Sequence, residues 1–177
     1  MARSAALQRK AVHHNALAVR KGAVIPIRSR IPRISPEANL ERFDEHDFKG
    51  FNMQDWDVYR KIHAPDVVVT FPDGRKDVGI EEHIKGLQAM FAAIPDFRVT
   101  EHTVRIGSGD WTAVTETVIG TFSGGPMIRP DGVTIQPTGR SFKLRMCAFA
   151  RWNEGRIVEE LLFWDNADFK KQLGIEG

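Results

Sequence analysis

The chain has 177 residues, 42% hydrophobic and 27% charged, with a formal net charge of +2; that length predicts one domain with room for an appendage. No apolar run approaches the ~18 residues that a membrane span needs, which argues against a bilayer-crossing protein. Cys147 is the single cysteine, so no internal disulfide can form, which fits a reducing, cytoplasmic setting, and no cysteine or histidine stands near it to give a zinc signature.

The charge is unevenly spread. Residues 1–36 hold eight basic side chains and no acid, whereas the remainder holds 17 basic and 23 acidic side chains, a balance of −6. The front end therefore reads as a basic extension over residues 1–37 that lies on the acidic body of its own chain or of a partner subunit. Contact with an anionic membrane and an organelle transit peptide are the alternatives. Nucleic acid is disfavoured as a partner, because residues 1–42 contain no aromatic side chain for base stacking.

Residues 38–177 read as the folded domain. Leu40, Phe43, Asp47 and Phe48 form a helical pattern that should break at Gly50. Asn52 can cap a second helix carrying Trp56, Tyr59, Ile62 and His63. Val67-Val68-Val69-Thr70-Phe71 is a β run, followed by the turn residues Pro72-Asp73-Gly74. Gly79 opens the strongest helix, where Ile80, Ile84, Leu87, Phe91 and Ile94 make one buried stripe; His83 and Lys85 are expected off that stripe, in solvent. Strands are expected over 97–106, 111–122, 138–152 and 156–164, with Cys147 as a small buried hydrophobe in the third. The Gly- and Pro-rich segment 123–137 is a long connection able to fold over an opening, and a short helix closes the chain at about 166–173. The order predicts an α+β fold in which a cone-shaped, curved mixed or antiparallel sheet wraps around N-terminal helices, leaving a small-molecule pocket.

Several motifs carry a family resemblance: His63-Ala64-Pro65-Asp66, Gly79, Gly120-Thr121-Phe122, Pro137-Thr138-Gly139-Arg140, Asn153-Glu154-Gly155-Arg156-Ile157-Val158-Glu159 and Gln172-Leu173-Gly174. Together, over about residues 38–174, the chain resembles the SnoaL-like polyketide cyclases of the nuclear transport factor 2-like fold. The resemblance implies an intramolecular aldol closure driven by an aspartate on the last strand, with no cofactor. Counted back from Gln172-Leu173-Gly174, that aspartate falls on Leu162. Its polar partners fall on Met146, Ala148 and Val69, the base of the related ketosteroid isomerases on Phe71, and a common histidine on Phe122.

Strand alternation places Val158, Glu160, Leu162 and Trp164 on one face. The expected lining is Val67, Val69, Phe71, Leu144, Met146, Ala148, Leu162 and Trp164, an apolar cavity for a hydrophobic small molecule, with no metal site. Four polar residues remain as catalytic candidates. Asp165 reads first as the N-cap of the last helix and second as a carboxylate at the cone mouth. Glu160 is either an inward base or the partner of Arg151 or Arg156. His63 is either a proton shuttle or a helix cap, and Tyr59 either an oxyanion donor or a core aromatic. Two functions follow: a cofactor-free cyclase, isomerase or dehydratase acting on a polyketide-like or carbocyclic substrate by proton transfer, or a non-catalytic binding or scaffolding module, in either case a homodimer. Two ionisable groups converging within about 5 Å inside the cone would favour the enzyme.

Overall fold

The computed structural model describes residues 34–129 and 132–175, so most of the basic N-terminal extension lies outside the described residues. Ser35 starts helix α1 (Pro36–Glu45): its hydroxyl accepts from the Ala38 N–H at 3.2 Å and Pro36 sits in the first turn, where its missing donor costs nothing. The helix does not stop before Gly50. It widens into a π-helix, His46–Phe51, which turns His46, Asp47, Gly50 and Phe51 into the core. Gly50 serves close approach here, since a Cβ would lie 3.0 Å from the Tyr59 ring.

Asn52 caps no helix. Its side-chain amide instead bridges the backbone N–H and carbonyl of Val99, both at 2.8 Å. Asp55 caps α2 (Trp56–Ile62), accepting from the Val58 N–H at 3.1 Å. Strand β1 (His63–Thr70) follows directly, and β2 (Lys76–Val78) returns against it. Gly79, at φ 91°, turns the chain into α3 (Ile80–Ala93), a conformation that a side chain would strain. The buried face of α3 includes His83 with Ile80, Ile84, Leu87 and Phe91. The expectation of a solvated His83 fails because i+3 belongs to the same stripe as i+4.

Long strands follow: β3 (Arg98–Ser108) and β4 (Trp111–Thr121), then the two-residue hairpin strands β5 (Met127–Ile128) and β6 (Thr134–Ile135), then β7 (Ser141–Asn153) and β8 (Arg156–Trp164). Helix α4 (Asn166–Leu173) ends at Gly174, which is left-handed at φ 67°. The six main strands run in the order β2-β1-β8-β7-β4-β3, with β1 and β8 parallel and every other neighbour antiparallel. This is the expected α+β architecture. Phe43, Ile62, Phe122, Ile157 and Leu173 are fully or nearly fully buried between helices and sheet, each such side chain contributing about 1.5–3 kcal/mol.

Two details of register decide what faces inward. The β7–β8 pairing slips between Arg151 and Trp152, where Ile157 and Glu159 oppose consecutive residues. This bulge buries Ile157 rather than Val158 and still leaves Glu160 inward. Further along, His102, Glu116, Met146 and Trp164 form one row across β3, β4, β7 and β8. Among the described residues no helix is long and apolar enough to cross a membrane.

Candidate active site

The sheet and helices enclose a cavity of about 600 Å³. Phe71, Leu144, Met146, Leu162 and Trp164 line it, as alternation predicts. Val67, Val69 and Ala148 are buried but do not reach it, because packed helices cover that part of the sheet. Pro126, Met127 and Ile128 of the long connection also face the cavity. The N–H groups of Gly124 and Gly125 hold this strap to the end of α3 by donating to the carbonyls of Ala93 (2.9 Å) and Ala92 (2.7 Å).

The cavity is not uniformly apolar. His46, Asp47, Tyr59, Arg75, Asp77, His83, Glu116 and Glu160 give it a polar end. The expectation of an apolar lining is met on much of β1, β7 and β8, but the π-helix, α2, β2, α3 and β4, with Glu160 on β8, bring polar side chains to one end. Asp77 is the inward residue of the short β2, and Glu116 that of the run Val114-Glu116-Val118. Alternation along β4 points to Glu116, whereas β2 is too short to show a period. Nothing in the sequence signals the π-turn that buries His46 and Asp47 together.

Within this polar end Asp77, His83 and Tyr59 form a chain. The Asp77 carboxylate lies 2.9 Å from Nδ1 of His83, and Nε2 of His83 lies 3.3 Å from the Tyr59 hydroxyl. An acceptor at Nδ1 places the ring proton there, which leaves Nε2 as the lone-pair nitrogen. Arg75 holds the other Asp77 oxygen and lies over the Phe71 ring. Burial, and then the surrounding carboxylates, push the Tyr59 hydroxyl well above its ordinary range, so it stays a proton donor. Tyr59 and His83 are thus two ionisable groups converging inside the cone.

A second network anchors the helices to the sheet. His102 bonds Asp44 (2.8 Å) through Nδ1 and Asp47 (2.7 Å) through Nε2, and Arg105 reaches Asp44 at 2.8 Å. Burial opposes charge on His102, but the two carboxylates outweigh it and raise its pKa. Burial likewise opposes charge on Asp47, and His46 and His102 hold its pKa below the ordinary value. At Glu116 burial dominates, and with Asp47 and Glu160 adding repulsion it drives the pKa well above the usual carboxylate range.

The four candidates from the sequence now have places. Tyr59 and Glu160 line the cavity. Glu160 is only 2% exposed and pairs with neither arginine; Arg151 bonds its neighbour Glu159 at 2.8 Å, because alternation sends Glu159 outward. His63 is buried outside the lining, donating from Nδ1 to the Tyr59 carbonyl at 2.9 Å, and so caps α2. Asp165 caps α4, accepting from the N–H groups of Ala167 and Asp168 at 2.9 Å each, and does not line the cavity. Cys147 is only half-buried, since it lies on the other face of β7 from Met146 and Ala148.

No curated protein matches the chain. Among solved structures it is similar to IdmH from Streptomyces antibioticus, a proposed polyketide cyclase, at 29% identity over 77% of this chain and 98% of that one, with a TM-score of 0.63. A proposed SnoaL-like polyketide cyclase from Jannaschia sp. CCS1 gives 22% identity, 82% and 96% coverage and a TM-score of 0.70. AclR from Streptomyces galilaeus, a proposed hydroxylase, gives 23%, 81% and 100%, and 0.65. The family model for SnoaL-like polyketide cyclases matches residues 46–173, and with the cone and its cavity in place the chain belongs to that family.

Proposed function

We propose that the protein is an enzyme that closes a ring, or carries out a related isomerisation or dehydration, on a hydrophobic polyketide-like substrate by general acid–base proton transfer. The observation that carries this reading is the Asp77–His83–Tyr59 chain opening onto a cavity whose remaining wall is largely apolar. Apolar walls hold the carbon skeleton, and the polar end receives the carbonyl group whose neighbouring C–H must be acidified.

In this scheme the substrate carbonyl oxygen takes the hydrogen bond of the Tyr59 hydroxyl. That frees Nε2 of His83 to remove the proton from the adjacent carbon, and Asp77 stabilises the imidazolium that results. The enolate oxygen, held by Tyr59 at the buried polar end of the cavity, is less costly than in bulk water. The carbanion carbon then attacks a second carbonyl of the same chain, and His83 returns its proton to the new alkoxide. The aspartate that the family places on β8 is thus replaced in function by a histidine from α3, since Leu162 occupies its position.

The test is turnover of a panel of aromatic polyketide ketones and aldehydes, followed by mass spectrometry, with binding measured separately by thermal shift. His83→Gln should abolish turnover while ligands still stabilise the protein. Asp77→Asn should lower it by roughly 10²–10⁴, the usual worth of acid–base catalysis. Stabilisation by the panel without turnover would favour a binding module, and unimpaired turnover by His83→Gln would refute the assigned base.

A further inference from the structure

His46, His63 and Glu160 form a cluster that the proton relay does not use. One ring nitrogen of each histidine and one carboxylate oxygen of Glu160 lie within 4.8 Å of one another, and all three residues are buried. Nε2 of His46 and Nε2 of His63 have no hydrogen-bond partner. An unpaired buried polar atom loses its water without gaining a partner, so unpaired imidazole nitrogens beside a buried carboxylate require an explanation. Direct pairing does not provide one, because His63 Nε2 and Glu160 Oε2 are 3.9 Å apart, beyond hydrogen-bond reach.

The second ring nitrogen differs between the two histidines. Nδ1 of His63 donates to the Tyr59 carbonyl at 2.9 Å. Nδ1 of His46 lies 2.8 Å from Asp47 Oδ1, an ionic contact rather than an aligned hydrogen bond. In His63 the carbonyl acceptor fixes the proton at Nδ1, so Nε2 presents a lone pair, which is how metal-ligating histidines are held.

We propose that His46, His63 and Glu160 bind a divalent transition-metal ion of the zinc or ferrous class, through a ring nitrogen of His46, Nε2 of His63 and a carboxylate oxygen of Glu160. Two imidazoles and one carboxylate suit such ions, whereas calcium and magnesium prefer oxygen alone. Tetrahedral bonds of about 2.0–2.1 Å set ligand atoms about 3.4 Å apart, so the 3.9 Å separation of His63 and Glu160 closes by small side-chain rotations. His46 and Glu160 line the cavity and His63 does not. The ion would therefore be held from behind, with its remaining positions open to a ligand in the cavity, where it would polarise a carbonyl oxygen. Asp47, His102 and Glu116 also lie close together, but both His102 nitrogens already bond carboxylates, so that group lacks a free imidazole donor.

The site stands apart from the acid–base reading, and its test does not use turnover. The full-length chain is stripped with a chelator, dialysed, and titrated with Co²⁺, followed by its visible ligand-field absorption, and with Zn²⁺ by calorimetry. The expected result is saturation at one equivalent per chain with release of protons. His63→Ala and Glu160→Gln should each weaken binding by more than about 100-fold, and Asp47→Asn, which loosens His46, by about 10–100-fold. Glu159→Gln, one residue away on the outer face, should bind like the wild type. Should a variant fail to fold, the wild-type spectrum decides: a saturable nitrogen–oxygen signature supports the site, and none overturns it. Full-strength binding by both folded His63→Ala and Glu160→Gln would also overturn it.

Discussion

Replacing Glu116 by glutamine tests the electrostatics of the polar end directly. Glu116 is 5% exposed on the inner face of β4, and burial, with Asp47 and Glu160 adding repulsion, raises its pKa well above the ordinary value. A carboxyl whose native pKa exceeds its unfolded value is bound to its proton more tightly in the native state. Its contribution to stability is fully present below about pH 4.3, the unfolded value, and is lost as pH rises toward the native one. Within that window one extra proton held by the native state makes wild-type stability fall by up to about 1.4 kcal/mol per pH unit. Glutamine has the shape of the neutral acid and no proton to lose. The stability of Glu116→Gln relative to wild type should therefore climb with pH at up to that slope and level off at the native pKa. In thermal terms this is roughly 3–6 °C per pH unit for a chain of this size. Urea unfolding from pH 4.5 to 8 in chelator-containing buffer measures it. A difference between the two proteins that stays constant across the range would show that Glu116 ionises normally and would refute the argument.

Other substitutions probe separate parts of the molecule. Asp165→Ala should cost about 0.5–2 kcal/mol in urea unfolding through loss of the α4 cap while leaving turnover intact; a folded but inactive variant would restore Asp165 as a catalytic residue. Leu173→Ala, at a fully buried position, should cost about 2–5 kcal/mol by the same measurement. His102 is raised by Asp47 and Asp44 against the opposing effect of burial. Its contribution is thus fully present below about pH 6.5 and lost as pH rises through the native value, so His102→Gln should gain on wild type between pH 6 and 9. In Gly124→Ala the new Cβ would lie 2.1 Å from the Ala92 carbonyl oxygen. The strap should shift and ligand stabilisation in thermal-shift assays should weaken, whereas unchanged binding would show that the strap does not shape the cavity.

The fold was legible because strands with alternating patterns and a helix with a clean stripe leave few alternatives. The span of α4 and the role of Gly79 follow from cap chemistry alone. The polar end was less legible for two physical reasons. Glu116 lies on β4, where alternation points it inward, but Asp77 lies on a three-residue strand too short to show a period, and His83 joins the α3 stripe at i+3 from Ile80 rather than i+4. His46 and Asp47 differ in kind. Both point inward because the helix widens to π geometry, and π-turns have no composition that announces them. The β8 bulge, which buries Ile157 and Glu160 on one face, likewise depends on pairing with β7 rather than on residue type.

The parallel pairing of β1 with β8 has a kinetic consequence. β3, β4, β7 and β8 are antiparallel neighbours, whereas β1 must find β8 across roughly 90 residues of chain, a closure whose entropy is spent before any contact rewards it. His63 enters on β1 and Glu160 on β8, joined only by that closure. The two strands are therefore expected to meet late in folding, and His63 and Glu160 with them. Substitutions at the β1–β8 seam should slow folding less than they speed unfolding, so damage there would register as a shortened native lifetime.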